Sequence, residues 1–319
     1  MKKQIDYSIA ILKKAVNKRP YNIRLDTNNT CNLNCIYCKI NDYTLNKEFM
    51  SVDQFCRLAD IYFPKATYVS LSCATEPLIT PNFNLFIRKL GEYNVPDTHF
   101  ITNGQLLTDE IITSTVLSKI SSITISNDAA NSETYKTIRG SSFENLMTKL
   151  IRIDEIKKKL NSKLPKVRIQ FTFFDYNKGE IIPFVEKYHP YFQEFYLTHL
   201  SPMYIDSYDH PALKRISFDE YSIIKKQLLV LIEKYKFVSK ITFNQFSKTN
   251  LSCKWCEIPL DFRFIRYNGD MMMCDKQIYG NIFSDSEVTI NQRIKKAFKK
   301  NNENCIKLCT MPVAKMKEK

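Results

Sequence analysis

Through the first two thirds of the chain, short runs of β-branched and aromatic residues alternate with longer runs whose apolar residues recur every three or four positions. The first pattern is that of buried strands and the second that of helices with one apolar stripe. Strand-like runs fall at 21–26, 67–72, 98–102, 122–126, 167–173 and 194–199. The helical run after the first strand opens at Ser51, with Gln54 three residues on and Phe55, Leu58, Ala59 and Tyr62 at helical spacing, which is a capping box ahead of a core-facing stripe. Strands separated by single helices predict βα units on a parallel sheet. Six such units make the expected fold class α/β, a partial (β/α)6 TIM-like barrel.

The pattern changes toward the C-terminus. A long helix is expected over 218–235, and apolar runs at 262–267 and 271–273 flank Asn268-Gly269. Asn-Gly between apolar runs predicts a two-residue hairpin loop, because both residues tolerate positive φ. The expected organisation is an N-terminal helix over 1–20, the partial barrel over 21–215, a bridging helix and strand over 216–250 and a small α+β module over 251–319.

Composition narrows the class. Hydrophobic residues make up 44% of the 319, enough for a large core, and no run approaches the ~20 apolar residues of a membrane-spanning helix. A cytoplasmic chain with no membrane partner is the expectation. The net charge of +14 would attract an acidic partner. Its lysines, however, are densest at 157–166 and 295–300 within helical runs, the pattern of a solvated helix face, so nucleic acid is not the expected partner.

Ten cysteines without a secretory signal point to metal or cluster ligation rather than disulfides. Cys31, Cys35 and Cys38 follow the first strand directly, so three thiolates leave one loop at the C-terminal end of the sheet, where α/β barrels place their chemistry. An iron–sulfur cluster normally takes four cysteines, and three leave one iron open. The competing reading is a closed structural zinc site, which needs a fourth protein ligand. Cys56 and Cys73 are the nearest in sequence.

The segment CNLNCIYC, with Tyr37 before the third cysteine, resembles the cluster loop of the radical S-adenosylmethionine (SAM) superfamily. Further segments resembling that family follow in order at successive strand ends: Ala74-Thr75-Glu76-Pro77, Thr102-Asn103-Gly104, Ser126-Asn127-Asp128 with Tyr135, Arg139 and Gly140 behind it, and Asn177. The resemblance implies a [4Fe–4S] cluster on Cys31, Cys35 and Cys38, with SAM contacted by Tyr37, Thr75, Glu76, Thr102, Asn103, Ser126, Arg139 and Asn177. Glu76 would accept from the methionine amino group; Ser126 and Arg139 would meet the ribose and carboxylate. The second segment departs from the family pattern, with Ala74 and Thr75 in place of two glycines. Cys73 beside it is a candidate hydrogen donor to a substrate radical, weighed against a plain core cysteine.

Cys253, Cys256, Cys274, Cys305 and Cys309 form a second group. It resembles the C-terminal auxiliary modules called SPASM and twitch. That implies a second [4Fe–4S] cluster on Cys256, Cys274, Cys305 and Cys309, with Cys253 as a possible substitute, against the alternative of a zinc ribbon.

The whole resemblance implies an oxidoreductase or maturase type of enzyme that cleaves SAM reductively to a 5′-deoxyadenosyl radical, fed by a flavodoxin or ferredoxin. The leading substrate is a peptide or protein. The alternative is a small metabolite such as an amino sugar or nucleotide, and a zinc-stabilised nucleic-acid-binding protein is the remote third.

Overall fold

The computed structural model describes residues 20–38, 40, 46–72, 74–199, 210–242, 261–273 and 277–299. Seven parallel strands run in chain order: β1 (Tyr21–Leu25), β2 (Ala66–Ser70), β3 (Asp97–Thr102), β4 (Ser122–Ser126), β5 (Lys166–Phe173), β6 (Glu194–His199) and β7 (Val238–Thr242). Between them lie α1 (Val52–Tyr62), α2 (Phe83–Gly91), α3 (Asp109–Leu117), α4 (Ser132–Arg139), α5 (Phe143–Lys159), α6 (Ile181–Tyr188) and α7 (Phe218–Tyr235). The six expected strands are all present, with ends within two residues of the sequence reading. Among the described residues the sheet is open, with β7 as one edge, which is the order of a partial barrel.

Why these residues make these elements is visible in their burial. Along β1 and β5 buried residues alternate with half-buried ones, so one face lies under helices and the other lines the interior. Ile23, Leu25, Val69, Phe100, Ile123, Ile169 and Phe171 are all at most 1% exposed and form one continuous core. Phe100 meets Phe83 of α2 edge-on at 5.5 Å, and Phe55 of α1 stacks on Phe86 of α2 at 4.2 Å, fixing the helices on that face. Ser51 and Gln54 form the expected capping box at the start of α1.

The C-terminal hairpin sits where the sequence did not place it. β8 (Phe262–Ile265) pairs in parallel with β1, so β8, β9 (Asp270–Met272) and β10 (Ile278–Asn281) extend the same ten-stranded sheet beyond its first strand. The following helix α8 (Glu287–Lys299) packs on β10. The hairpin loop is also longer than two residues. Arg266 N–H bonds the Asp270 carbonyl, Gly269 N–H bonds the Arg266 carbonyl, and Gly269 alone has positive φ, 88°. Asn268 stays out of the left-handed region because its side chain accepts from Asp270 N–H and donates to the Asp270 carboxylate, so this is a three-residue loop with a glycine bulge. The expected N-terminal helix over 1–20 falls almost wholly outside the described residues.

Candidate functional site

The loop after β1 carries Cys31, Cys35 and Cys38, none of them in a disulfide. Hydrogen bonds from its neighbours hold it. Ile36 N–H bonds the Ile138 carbonyl at the end of α4, and Glu76 N–H bonds the Thr30 carbonyl. Asn28 reaches from the loop to the Glu76 carbonyl at 2.8 Å. Among the described residues no three cysteine, histidine or acidic side chains converge as a single-ion metal site would require. A cluster whose cysteines each bind a separate iron does not need such convergence, whereas structural zinc gathers its ligands on one ion.

Donors face two of the sulfurs. Asn103 Nδ2 lies 3.8 Å from Cys31 Sγ and 2.8 Å from Asn32 Oδ1, and Arg139 Nη1 lies 3.7 Å from Cys35 Sγ. Hydrogen bonds to ligand sulfurs are a main control on a cluster's potential, so the donor set fits an iron–sulfur group. Burial pushes the Cys31 thiol up to about 11 and the Cys35 thiol upward as well. Both are therefore protonated at neutral pH until a metal displaces the proton.

Glu76 is 3% exposed. Its carboxylate accepts from Thr102 Oγ1 at 2.6 Å, Asn103 N at 2.7 Å and Leu78 N at 3.2 Å. Burial raises its pKa to about 7, against the pull of those three donors. Thr102 in turn accepts from Gly104 N–H, so the ends of β2 and β3 are knitted around one carboxylate. That group is poised to meet an ammonium.

A second buried charge was missed as a site residue, although its segment had been noticed. Asp128, 0% exposed, lies 2.6 Å from Arg139 Nε, accepts from the Tyr37 hydroxyl at 2.6 Å and takes Thr172 N–H at 2.7 Å. Arg139 also sits over the Tyr37 ring at 5.5 Å. Gly140 ends α4 with φ of 67°, and this left-handed cap lets the chain turn directly after Arg139. The only signal for Asp128 in the sequence was its place in the Ser126-Asn127-Asp128 segment.

The remaining expected residues divide. Ser126 lies at the end of β4, and its side chain makes no hydrogen bond among the described residues. Thr75 donates to Asp26 Oδ1, which also takes Ala74 N–H. Asn177 is buried, and both ends of its amide are engaged: it accepts from Phe174 N–H and donates to the carbonyls of Asp128 and Thr172. It braces the site from behind. Cys73, Cys253, Cys256, Cys274, Cys305 and Cys309 lie outside the described residues.

Residues 25–162 match the family model described as the radical SAM superfamily. That match covers less than half of the chain. A GTP 3′,8-cyclase from Saccharophagus degradans is 27% identical over 162 residues, 50% of this chain and 47% of that protein. A probable GTP 3′,8-cyclase from Methanothermobacter thermautotrophicus is 31% identical over 122 residues, 36% of this chain and 38% of that protein. The chain thus spans less than half the length of these curated relatives. Among solved structures, Streptococcus suis SuiB bound to precursor peptide SuiA superposes with a TM-score of 0.69 at 15% identity, covering 97% of this chain and 75% of that one. Native anSMEcpe with bound AdoMet gives 0.63 at 16% identity, covering 93% and 88%. At these identities the likeness is one of fold. Among the described residues, no helix is long and apolar enough to cross a membrane.

Proposed function

We propose that the chain holds a [4Fe–4S] cluster on Cys31, Cys35 and Cys38, binds SAM beside it and modifies a peptide or protein by radical chemistry. The single observation that carries the reading is the buried Glu76 carboxylate next to a three-thiol loop whose sulfurs face Asn103 and Arg139. When bound, the reduced cluster and SAM supply one-electron cleavage of a carbon–sulfur bond to methionine and a 5′-deoxyadenosyl radical that takes a substrate hydrogen.

The chain's own tasks are binding, orientation and exclusion of water. Glu76 receives the methionine ammonium while Thr102 and Asn103 hold its two oxygens in place. Arg139 is kept charged and aimed by Asp128, with Tyr37 packed beneath it, and offers N–H donors to the SAM carboxylate and to Cys35. Ser126, whose hydroxyl is free, is the ribose contact. Thr75 and Asn177 act by fixing the loops, since their polar atoms already bond the chain.

The auxiliary cluster on Cys256, Cys274, Cys305 and Cys309, with Cys253 as substitute, and a flavodoxin or ferredoxin reductant belong to the same proposal. SuiB, bound to its precursor peptide, is the neighbour that favours a peptide substrate. The curated relatives named GTP 3′,8-cyclase favour a nucleotide as the second reading. Anaerobic reconstitution tests the core of the proposal. About eight irons per chain are expected with both clusters and about four with the first alone. Cys35→Ala should abolish SAM cleavage, and cleavage that survives it overturns the proposal.

A further inference from the structure

The interior face of the sheet carries a row of side chains that the cluster and SAM do not use. In the pairing register Arg24 of β1 lies beside Ser70 of β2, and Ser70 beside His99 of β3. Laterally paired residues share a face. It is the face away from the helices, because the flanking Ile23, Leu25, Val69 and Phe100 are the ones packed beneath them.

Two nitrogens in this row are buried without partners: Arg24 Nε and His99 Nδ1. The Arg24 guanidinium makes no ion pair or hydrogen bond among the described residues. The half-buried side chain places it 5.6 Å and 5.8 Å from the centres of Phe262 and Phe264, with only Nε shut away from solvent. The other interior arginine near His99, Arg168, is paired with Glu194 at 2.7 Å. Arg24 is therefore the uncompensated cation of this row. His99 is 3% exposed, and burial together with Arg168 and Arg24 keeps it neutral. Its Nε2 lies 3.2 Å from the Tyr68 hydroxyl and 3.4 Å from Ser70 Oγ, while Nδ1 has no protein partner, so the ring offers one unpaired nitrogen.

A guanidinium with no ion pair and a buried ring nitrogen with no partner lie on one row, and buried polar groups are normally hydrogen-bonded. We propose that the Arg24–Ser70–His99 row anchors an anionic group of the substrate, a carboxylate or a phosphate. The row lies one interior layer below Asp26, hence about 7 Å beneath the Thr75–Glu76 loop. A substrate held there would present its reacting carbon at the strand ends. This rests on the radical reading above and adds to it the class of substrate.

The test is equilibrium dialysis of the anaerobically reconstituted full chain against labelled pyrophosphate and, separately, labelled acetate. Wild type is expected to bind at least one. Arg24→Gln should weaken that binding about 10–100-fold, the loss of a charge-assisted hydrogen bond, and Arg24→Lys should recover most of it. Preference for pyrophosphate assigns a phosphorylated substrate, and preference for acetate a carboxylate such as a peptide supplies. Iron content checks the fold of each variant. If Arg24→Gln loses iron, His99→Gln takes its place, with a loss of about threefold or more expected from removing one neutral hydrogen-bond partner. Failure of both anions to bind wild type, or equal binding by the iron-replete variant, overturns the proposal. SAM cleavage is read separately: cleavage without anion binding defeats the anchor alone, and anion binding without cleavage defeats the radical reading alone.

Discussion

Replacing Glu76 by glutamine changes one atom at the centre of the site and has a computable signature in pH. Burial lifts the Glu76 carboxyl from its ordinary 4.5 to about 7. The folded protein thus holds the proton more tightly than the unfolded chain does. Relative to a residue that stays neutral, its contribution to stability is fully present below about pH 4.5 and is lost as pH rises through about 7. At about 1.4 kcal/mol per pH unit the loss totals about 3 kcal/mol. The amide can still accept from Asn103 N–H and donate to Thr102 Oγ1, but it leaves Leu78 N–H poorly served, at about 1 kcal/mol. Urea unfolding of the metal-free protein under reducing conditions should therefore find wild type the more stable at pH 4 and Glu76→Gln the more stable at pH 8. In SAM binding the order reverses: the variant loses a charge-assisted bond and should bind at least about tenfold more weakly at pH 8. A stability difference that does not move between pH 4 and 8 would refute the assignment of Glu76 as a buried, proton-holding carboxyl.

Three further outcomes follow from the same geometry. Asp128→Asn strands the Arg139 charge in a buried setting and should cost about 3–5 kcal/mol, measured as a shift of the urea midpoint at constant slope. Gly140→Ala meets no atom within 4 Å but must hold φ at 67°, so a loss of about 1–2 kcal/mol is expected from backbone conformation alone, and a neutral result would show that α4 ends differently. Because burial raises the Cys31 and Cys35 thiols, loading the cluster should release at least two protons from this loop near pH 7, seen as alkali uptake in a pH-stat. Release that vanishes in Cys35→Ala but persists in Cys56→Ala would place it on the loop.

Much of the fold was legible because it is written in local periodicity. A strand that hides one face and a helix that hides one stripe each leave a regular apolar spacing, so all six expected strands and the cap at Ser51 are where the pattern puts them. The three cysteines, Glu76, Asn103 and Arg139 were legible for a related reason: parallel strands separated by helices bring their C-terminal ends to one rim, so polar residues just past strand ends become neighbours whatever their separation in sequence.

What the tertiary structure decided are the pairings between distant segments. That β8 adds to β1 in parallel depends on which edge of the sheet is open, and no local pattern encodes an open edge. The burial of Asp128 against Arg139 and Tyr37, and the engagement of Asn177 with backbone carbonyls, follow from how three loops stack, since a carboxylate or an amide reads the same in sequence whether solvated or enclosed. The row of Arg24, Ser70 and His99 exists only through the register of β1, β2 and β3. Periodicity tells which face of a strand is buried, but register is a relation between strands and is fixed only when they hydrogen-bond.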